Sequence, residues 1–258
     1  LITIILFFIV LLVEIFTPVV VYLIAPGFIT DFNKYNLAIE LTRITFPFLF
    51  FVSISSLFSG ILNSHNKFAA AAAAPIFLNL ILIISIFFSF YLNLDYAKNM
   101  SYGVTISGLV QLSFLIYFTK NYYKPKVFLR KKISKKVKFF IRKLIPSVFS
   151  SGVTQINILI GTIIASFQMG AVSYLYYADR IYQINLAIAG IAVGTVSLPA
   201  LSKAFKNKNY LGISKIQSKS IELSMLLSLP AAAGIIIGSE EIVSSLFGYG
   251  TFNEKDVY

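Results

Sequence analysis

Long apolar stretches separated by short polar ones dominate this chain. Seven stretches near or above the ~20 residues that a bilayer crossing needs fall at about 1–24, 41–62, 68–93, 99–119, 144–168, 172–202 and 219–248. The connections at 25–40, 94–98, 169–171 and 249–258 alternate with those at 63–67, 120–143 and 203–218. Such runs predict helices, because in lipid a helix satisfies its own backbone N–H and C=O groups. The expected fold is all-α: a polytopic integral membrane helix bundle of about seven spanning helices.

Composition agrees and removes other classes. Of the 258 residues, 57% are hydrophobic and 12% are charged, against about 25% charged in soluble domains; the mean hydropathy is +0.82. There is no Cys and one His, His65, so neither a disulfide framework nor a metal site is expected. Trp is absent, and 15 Tyr are left to form the interfacial belt. Neither an acidic pair in a membrane-facing loop nor a phosphate-binding loop is present. A non-enzymatic protein without a cofactor is therefore expected. The chain begins at Leu1 without a basic leader, so Leu1 onward reads as a spanning helix and the sequence as a fragment.

The net charge of +12 is explained by topology rather than by nucleic acid. The connections 63–67, 120–143 and 203–218, with Lys219 at the start of the last segment, hold 17 of the 22 basic residues. The other set holds Lys34, Lys98 and Lys255 together with Asp31, Glu40, Asp95, Glu254 and Asp256. Basic residues gather in cytoplasmic loops, so Leu1 starts inside and Tyr258 ends outside. The stretch 120–143, with Arg130-Lys131-Lys132 and interleaved Phe139 and Phe140, divides the chain. It reads as a topogenic loop or as a basic amphipathic helix on anionic headgroups. The expected organisation is 1–119 with four spanning helices, 120–143 as linker, and 144–258 with three.

The candidate chemistry centres on Tyr176-Tyr177-Ala178-Asp179-Arg180, inside the sixth segment. Either charge costs roughly 2.5–3.5 kcal/mol at the centre of a membrane helix on insertion scales, so ionisable residues there normally serve a function. Ser173, Tyr176, Arg180 and Gln183 share one helical face, which Ala187, Gly190 and Gly194 would continue. Arg180 there is either an anion anchor suited to phosphate or half of a buried pair with Asp179 that fixes packing. Gly190 and Gly194 allow a close helix approach or a bend, and Pro199 is a further bending point.

Other segments add polar residues. Ser147, Ser151, Gln155, Thr162 and Ser166 form one stripe on segment five, lining a cavity or meeting a neighbouring helix. Arg43 lies near the outer end of segment two, followed by Pro47 as a bend, and is expected to snorkel. Glu14 sits mid-segment in segment one with Pro18 one turn later; it is a candidate for proton or sodium coupling or for a structural hydrogen bond.

These residues resemble the MurJ (MviN) family of bacterial lipid II flippases, part of the superfamily of multidrug, oligosaccharide-lipid and polysaccharide exporters. The match rests on Ala25-Pro26-Gly27-Phe28, on Ile44-Thr45-Phe46-Pro47 through Gly60-Ile61-Leu62-Asn63, and on Ala74-Pro75 with Leu78-Asn79. It rests most specifically on Tyr176 to Arg180 continuing through Gly190, Gly194-Thr195 and Leu198-Pro199 to Leu201-Ser202-Lys203, with a closing Leu246-Phe247, Tyr249-Gly250 and Phe252. The resemblance implies helices three to nine of a fourteen-helix, two-lobe transporter around a central cavity. It makes Arg180 a cavity residue needed for function and carries over Ser173 and Asp179. The family often has Glu where this chain has Gln183, and Pro where it has Asn185.

The resemblance further implies the bacterial inner membrane, lipid II as substrate, membrane lipids and the rest of a longer chain as partners, and alternating access as mechanism. The competing readings are another exporter of the superfamily, which should favour cavity carboxylates, and a scaffold subunit that transports nothing.

Overall fold

A computed structural model describes residues 2–123, 135–250, 252 and 254–257. Residues 124–134 of the basic stretch 120–143 lie outside the described residues. The chain divides into two compact units, Leu1–Gln168 and Met169–Tyr258. The described residues contain helices and no strand.

The first unit contains α1 (Ile2–Ile15), α2 (Thr17–Ile24), a 3-10 turn (Pro26–Thr30), α3 (Phe32–Thr45), α4 (Pro47–Ser64), α5 (Phe68–Ala73), α6 (Ile76–Leu92), α7 (Tyr96–Thr119) and α8 (Lys135–Ala165). The second contains α9 (Ala171–Asn185), a π-helical stretch (Leu186–Ala192), α10 (Val193–Lys206), α11 (Tyr210–Ile237), α12 (Ser239–Phe247) and α13 (Glu254–Val257). Among the described residues, five helical spans are long and apolar enough to cross a membrane: Phe32–Ser64, Phe68–Leu92, Tyr96–Thr119, Ala171–Lys206 and Tyr210–Ile237. The pair α1–α2 makes a sixth if counted as one span, and Gly152–Ala165 is a shorter apolar stretch of the fifth expected segment.

Several expected segments differ in detail, and the second, expected at 41–62, belongs to a helical span that already starts at Phe32. Segment one is not one straight helix, because α1 and α2 meet at 82°. Pro18 has no N–H to give the Glu14 carbonyl. The Thr17 hydroxyl takes its place, donating to the carbonyls of Val13 (2.8 Å) and Glu14 (2.9 Å). From the other side of the bend the Tyr35 hydroxyl donates to the Pro18 carbonyl at 2.7 Å. The last segment starts earlier than expected, at Tyr210, where Asn209 caps α11 by accepting from the Gly212 N–H at 2.9 Å. It ends at Gly238 rather than running to 248.

The α7 helix packs against α3, α4 and α6 and organises the first unit. Its buried seam is Gly103, Ser107, Gln111, Leu115 and Thr119, spaced by four, while Ile106, Leu109 and Ile116 are exposed. Lipid is as apolar as a protein core, so small residues that admit close packing occupy helix interfaces and large apolar ones face out. A Cβ on Gly103 would collide with the Ser85 side chain, and one on Gly108 would lie 2.8 Å from the Phe48 ring. The α6–α7 contact is also polar: Asn99 Nδ2 donates to the Ser85 carbonyl (2.7 Å) and to Ser89 Oγ (2.8 Å). At the α3–α4 junction Pro47 opens α4, and Thr105 of α7 donates to the Ile44 carbonyl. Lys98 pairs with Glu40 at 2.7 Å, joining the middle of α3 to the start of α7.

The long α8 helix is tied to the first unit at its end. Ser166, buried, accepts from the Gly27 N–H at 3.0 Å through Oγ, which itself donates to the Ile163 carbonyl at 2.7 Å. A division by contacts therefore falls after α8.

Candidate functional site

The α9 helix follows Gly170, whose φ of +76° suits glycine at the helix entry. Its two adjacent tyrosines have separate tasks. Tyr177 packs on Phe247 and Phe252, with ring centroids 4.7 and 5.3 Å away, and so ties α9 to the closing segment. Tyr176, whose ring meets that of Tyr177 edge-on with centroids 6.1 Å apart, accepts a hydrogen bond from Arg180 Nη2, whose guanidinium lies 4.6 Å over the Tyr176 ring. One turn before, Tyr174 donates to Asp256 Oδ1 at 2.7 Å.

Arg180 is therefore positioned by an aromatic residue one turn earlier, and it forms no ion pair with Asp179 among the described residues. Asp179 is half-buried, whereas Ser173, Tyr176, Arg180 and Gln183 are all exposed within the second unit. The helix thus presents a polar face that nothing in its own unit covers. That arrangement leaves the guanidinium donors not used by Tyr176 free for a ligand with planar or tetrahedral oxygens.

The strict continuation of that face to Gly194 is lost. Residues Leu186–Ala192 form a π-helical stretch. A π turn inserts an extra residue, which rotates the next turns of the helix by about 100°. The turn is braced by Ser224, whose hydroxyl donates to the Ala189 carbonyl at 2.9 Å, and by a 2.6 Å hydrogen bond between Ser197 and Ser220. Gly190 and Gly194 instead line a groove of about 520 Å³ beside α11, with Ser197, Ser220 and Ser224. A methyl group on Gly194 would meet nothing within 4 Å. The glycines here open space rather than bring two backbones together. Pro199 lies inside α10, after the π stretch.

In the first unit, Gln155 is exposed on α8, and Thr162 donates to the Ile158 carbonyl at 2.9 Å. The side chains of Ser147 and Ser151 lie outside the described residues. Glu14 borders a cavity of about 400 Å³ lined by Phe7, Phe50 and Pro47 among others, and its Oε1 is buried without a hydrogen-bond partner. Among the described residues no group of three or more His, Asp or Glu could hold a metal ion. Sequence reasoning missed the Ser166–Gly27 tie, the Asn99 cluster and the Tyr174–Asp256 contact. Its only signal for the first was the pairing of a polar stripe with Pro26-Gly27.

Known proteins are similar to this chain along nearly its whole length. A protein of Rhizobium tropici described as "Probable lipid II flippase MurJ" is 39% identical over 257 residues, covering 98% of this chain and 48% of its own length. One of Rickettsia prowazekii (strain Madrid E) with the same description is 39% identical over 251 residues, covering 96% and 49%. The chain spans about half the length of the curated relatives it matches. A solved structure, "Lipid II flippase MurJ, inward closed conformation", superposes with a TM-score of 0.79 at 26% identity, covering 98% of this chain and 52% of that one. The sequence profile described as "Lipid II flippase MurJ" matches residues 1–258, and by that match along its whole length the chain belongs to the lipid II flippase MurJ family.

Proposed function

We propose that the longer protein moves lipid II across the bacterial cytoplasmic membrane by alternating access, and that Arg180 holds the lipid diphosphate. The observation that carries this is the state of Arg180. It stands on a membrane helix, exposed within its unit, braced by Tyr176 and not neutralised by Asp179. A charge so placed is expensive unless a cavity and an anion compensate it. Charge-assisted hydrogen bonds of this type contribute about 1.5–3 kcal/mol each, enough to favour a diphosphate over a neutral head.

Ser173 and Gln183 supply neutral hydrogen-bonding groups for the sugar–peptide head, and Asp179 adds a carboxylate acceptor beside them; Gln155 is a candidate polar contact on its own unit. The head crosses inside a hydrated cavity, because its polar groups would each cost several kcal/mol in hydrocarbon, while the polyprenyl tail stays in lipid. Gly190, Gly194, Pro199 and Pro47 are the bending points of the cycle, and Glu14 is the candidate for ion coupling. The partners are lipid II, membrane lipids and the remainder of the same chain. Nucleic acid is not among them.

The test uses the full-length protein in a bacterium depleted of its own flippase. Arg180→Ala and Arg180→Glu are expected to abolish growth rescue at normal protein level, and substitution of Gln183 to cost less. Full rescue by Arg180→Ala would exclude the anchor role. Loss of protein rather than of transport would favour the scaffold reading.

A further inference from the structure

The end of the first unit opposite the Lys98–Glu40 pair contains a cleft of about 480 Å³. Its polar lining is Lys67, Lys120, Asn121 and Tyr122, and its apolar wall includes Leu62 and Tyr117. The wall is rigid. Leu62 is 1% exposed and belongs to a packed cluster with Phe58, Ala74 and Leu115. The loop over it is fixed by Asn66 in a left-handed conformation (φ 58°) and by the Lys67 N–H donating to the Leu62 carbonyl at 2.9 Å. His65 stacks on Tyr122 at 4.9 Å between centroids, joining this loop to the end of α7. Lys120 Nζ lies 3.9 Å over the Tyr117 ring.

Among the described residues the charge in this cleft is uncompensated. Helices α4, α5 and α7 contain no Asp or Glu. Neither lysine has an ion-pair partner among the described residues; the pair that exists, Lys98–Glu40, is roughly 33 Å away along α7 at 1.5 Å per residue. The 24 residues of α7 span about 36 Å, longer than the ~30 Å hydrocarbon core. Lys120 and Lys67 therefore stand at headgroup depth, with Tyr117 and Tyr122 as interfacial rings.

We propose that this cleft binds the phosphodiester of one anionic phospholipid from the leaflet on the basic-loop side, the cytoplasmic one by the positive-inside rule. Lys67 and Lys120 neutralise the phosphate, Asn121 and the Tyr122 hydroxyl hydrogen-bond its oxygens or glycerol, and the acyl stems lie along Leu62 and Tyr117. Basic pockets between membrane helices recognise phosphate headgroups in this way. The site uses none of the residues assigned to the transported substrate.

The experiment replaces Phe118, an exposed aromatic lining the cleft that makes none of the proposed phosphate contacts, with Trp in a full-length protein otherwise made Trp-free, and follows quenching by brominated phosphatidylglycerol and brominated phosphatidylcholine in nanodiscs. Quenching by the anionic lipid is expected to saturate at low mole fraction, and by the zwitterionic lipid to follow bulk composition. Lys67→Gln with Lys120→Gln should weaken the anionic binding about fivefold per lysine, on the order of 30-fold together. Lys67→Arg with Lys120→Arg should stay within about threefold of the parent, which separates loss of charge from misfolding. Equal quenching by the two lipids, or an unchanged double Gln variant, overturns the proposal. Displacement of the lipid by millimolar inorganic phosphate overturns the lipid as occupant.

Discussion

Arg180 donates to the hydroxyl of Tyr176 and lies 4.6 Å over the same ring. One tyrosine thus fixes the guanidinium twice, by an acceptor at its rim and by the negative face of its π-system. The i, i+4 spacing makes both contacts local to α9, so the arginine is set without its neighbour Asp179. A preset fork loses less freedom when it binds an anion.

Tyr176→Phe keeps the ring and removes the acceptor, while Tyr176→Leu removes both. With the cation–π contact at about 0.5–1 kcal/mol and the hydrogen bond at about 1.5–3, partly recovered by water, the lipid II transport proposed for the full-length protein should fall about three- to tenfold in the Phe variant. It should fall further in the Leu variant, with protein level unchanged in both. A reconstituted flipping assay reads the order directly; equal activity of parent, Phe and Leu proteins would remove Tyr176 from the site.

Gly27 and Ser166 give a second expectation, about stability. A Cβ on Gly27 would collide with the Ser166 carbonyl, and the Gly27 N–H already donates to Ser166 Oγ at 3.0 Å. Overpacking of this kind costs about 1–3 kcal/mol, so Gly27→Ala should lower the thermal midpoint of the purified full-length protein. Gly60→Ala is the control, because a methyl group there meets nothing within 4 Å. Ser166→Ala leaves a buried N–H unpaired and should cost about 1–3 kcal/mol. If Gly27→Ala melts with Gly60→Ala, the α8 end is not held at this turn.

The faces of helices were legible in the sequence, but their partners were not. Ser173, Tyr176, Arg180 and Gln183 could be placed together because polar residues recurring at helical spacing in an apolar run define a face by themselves. The π-helical stretch at Leu186–Ala192 left no such mark. Gly190 and Gly194 have the spacing of a helix-packing motif, and the brace that widens the turn comes from Ser224, which is 35 residues from Ala189. Pro18 announced a disturbance in segment one, yet its 82° size depends on Thr17 re-bonding two carbonyls and on Tyr35 reaching back to Pro18. The α7 seam was hidden for a chemical reason. In lipid a buried helix face is small and polar, so hydropathy alone gives it the weakest signal of a packed surface. The tie between Gly27 and Ser166 spans 139 positions, and no periodicity reports a contact of that range.

Glu14 sets the last expectation. Its Oε1 is buried without a partner, beside an apolar cavity of about 400 Å³. The facing helix α4 carries no titratable side chain, and the charged group whose field reaches Glu14 is Arg43. A polar group so placed costs about 1–3 kcal/mol by the protein mutational scale, so stability gives no reason for it. Glu14→Leu fills part of the cavity and removes the orphan oxygen. It should leave the thermal midpoint of the full-length protein unchanged or raise it by the equivalent of about 1–3 kcal/mol. If Glu14 couples transport to an ion, the same variant, and Glu14→Gln with it, should flip lipid II at a rate that no longer responds to an imposed proton or sodium gradient. The two measurements separate the roles. A large fall in stability with the gradient response retained would make Glu14 a packing residue of the α1–α2 bend, and an unchanged response in both variants would end its candidacy as the coupling site.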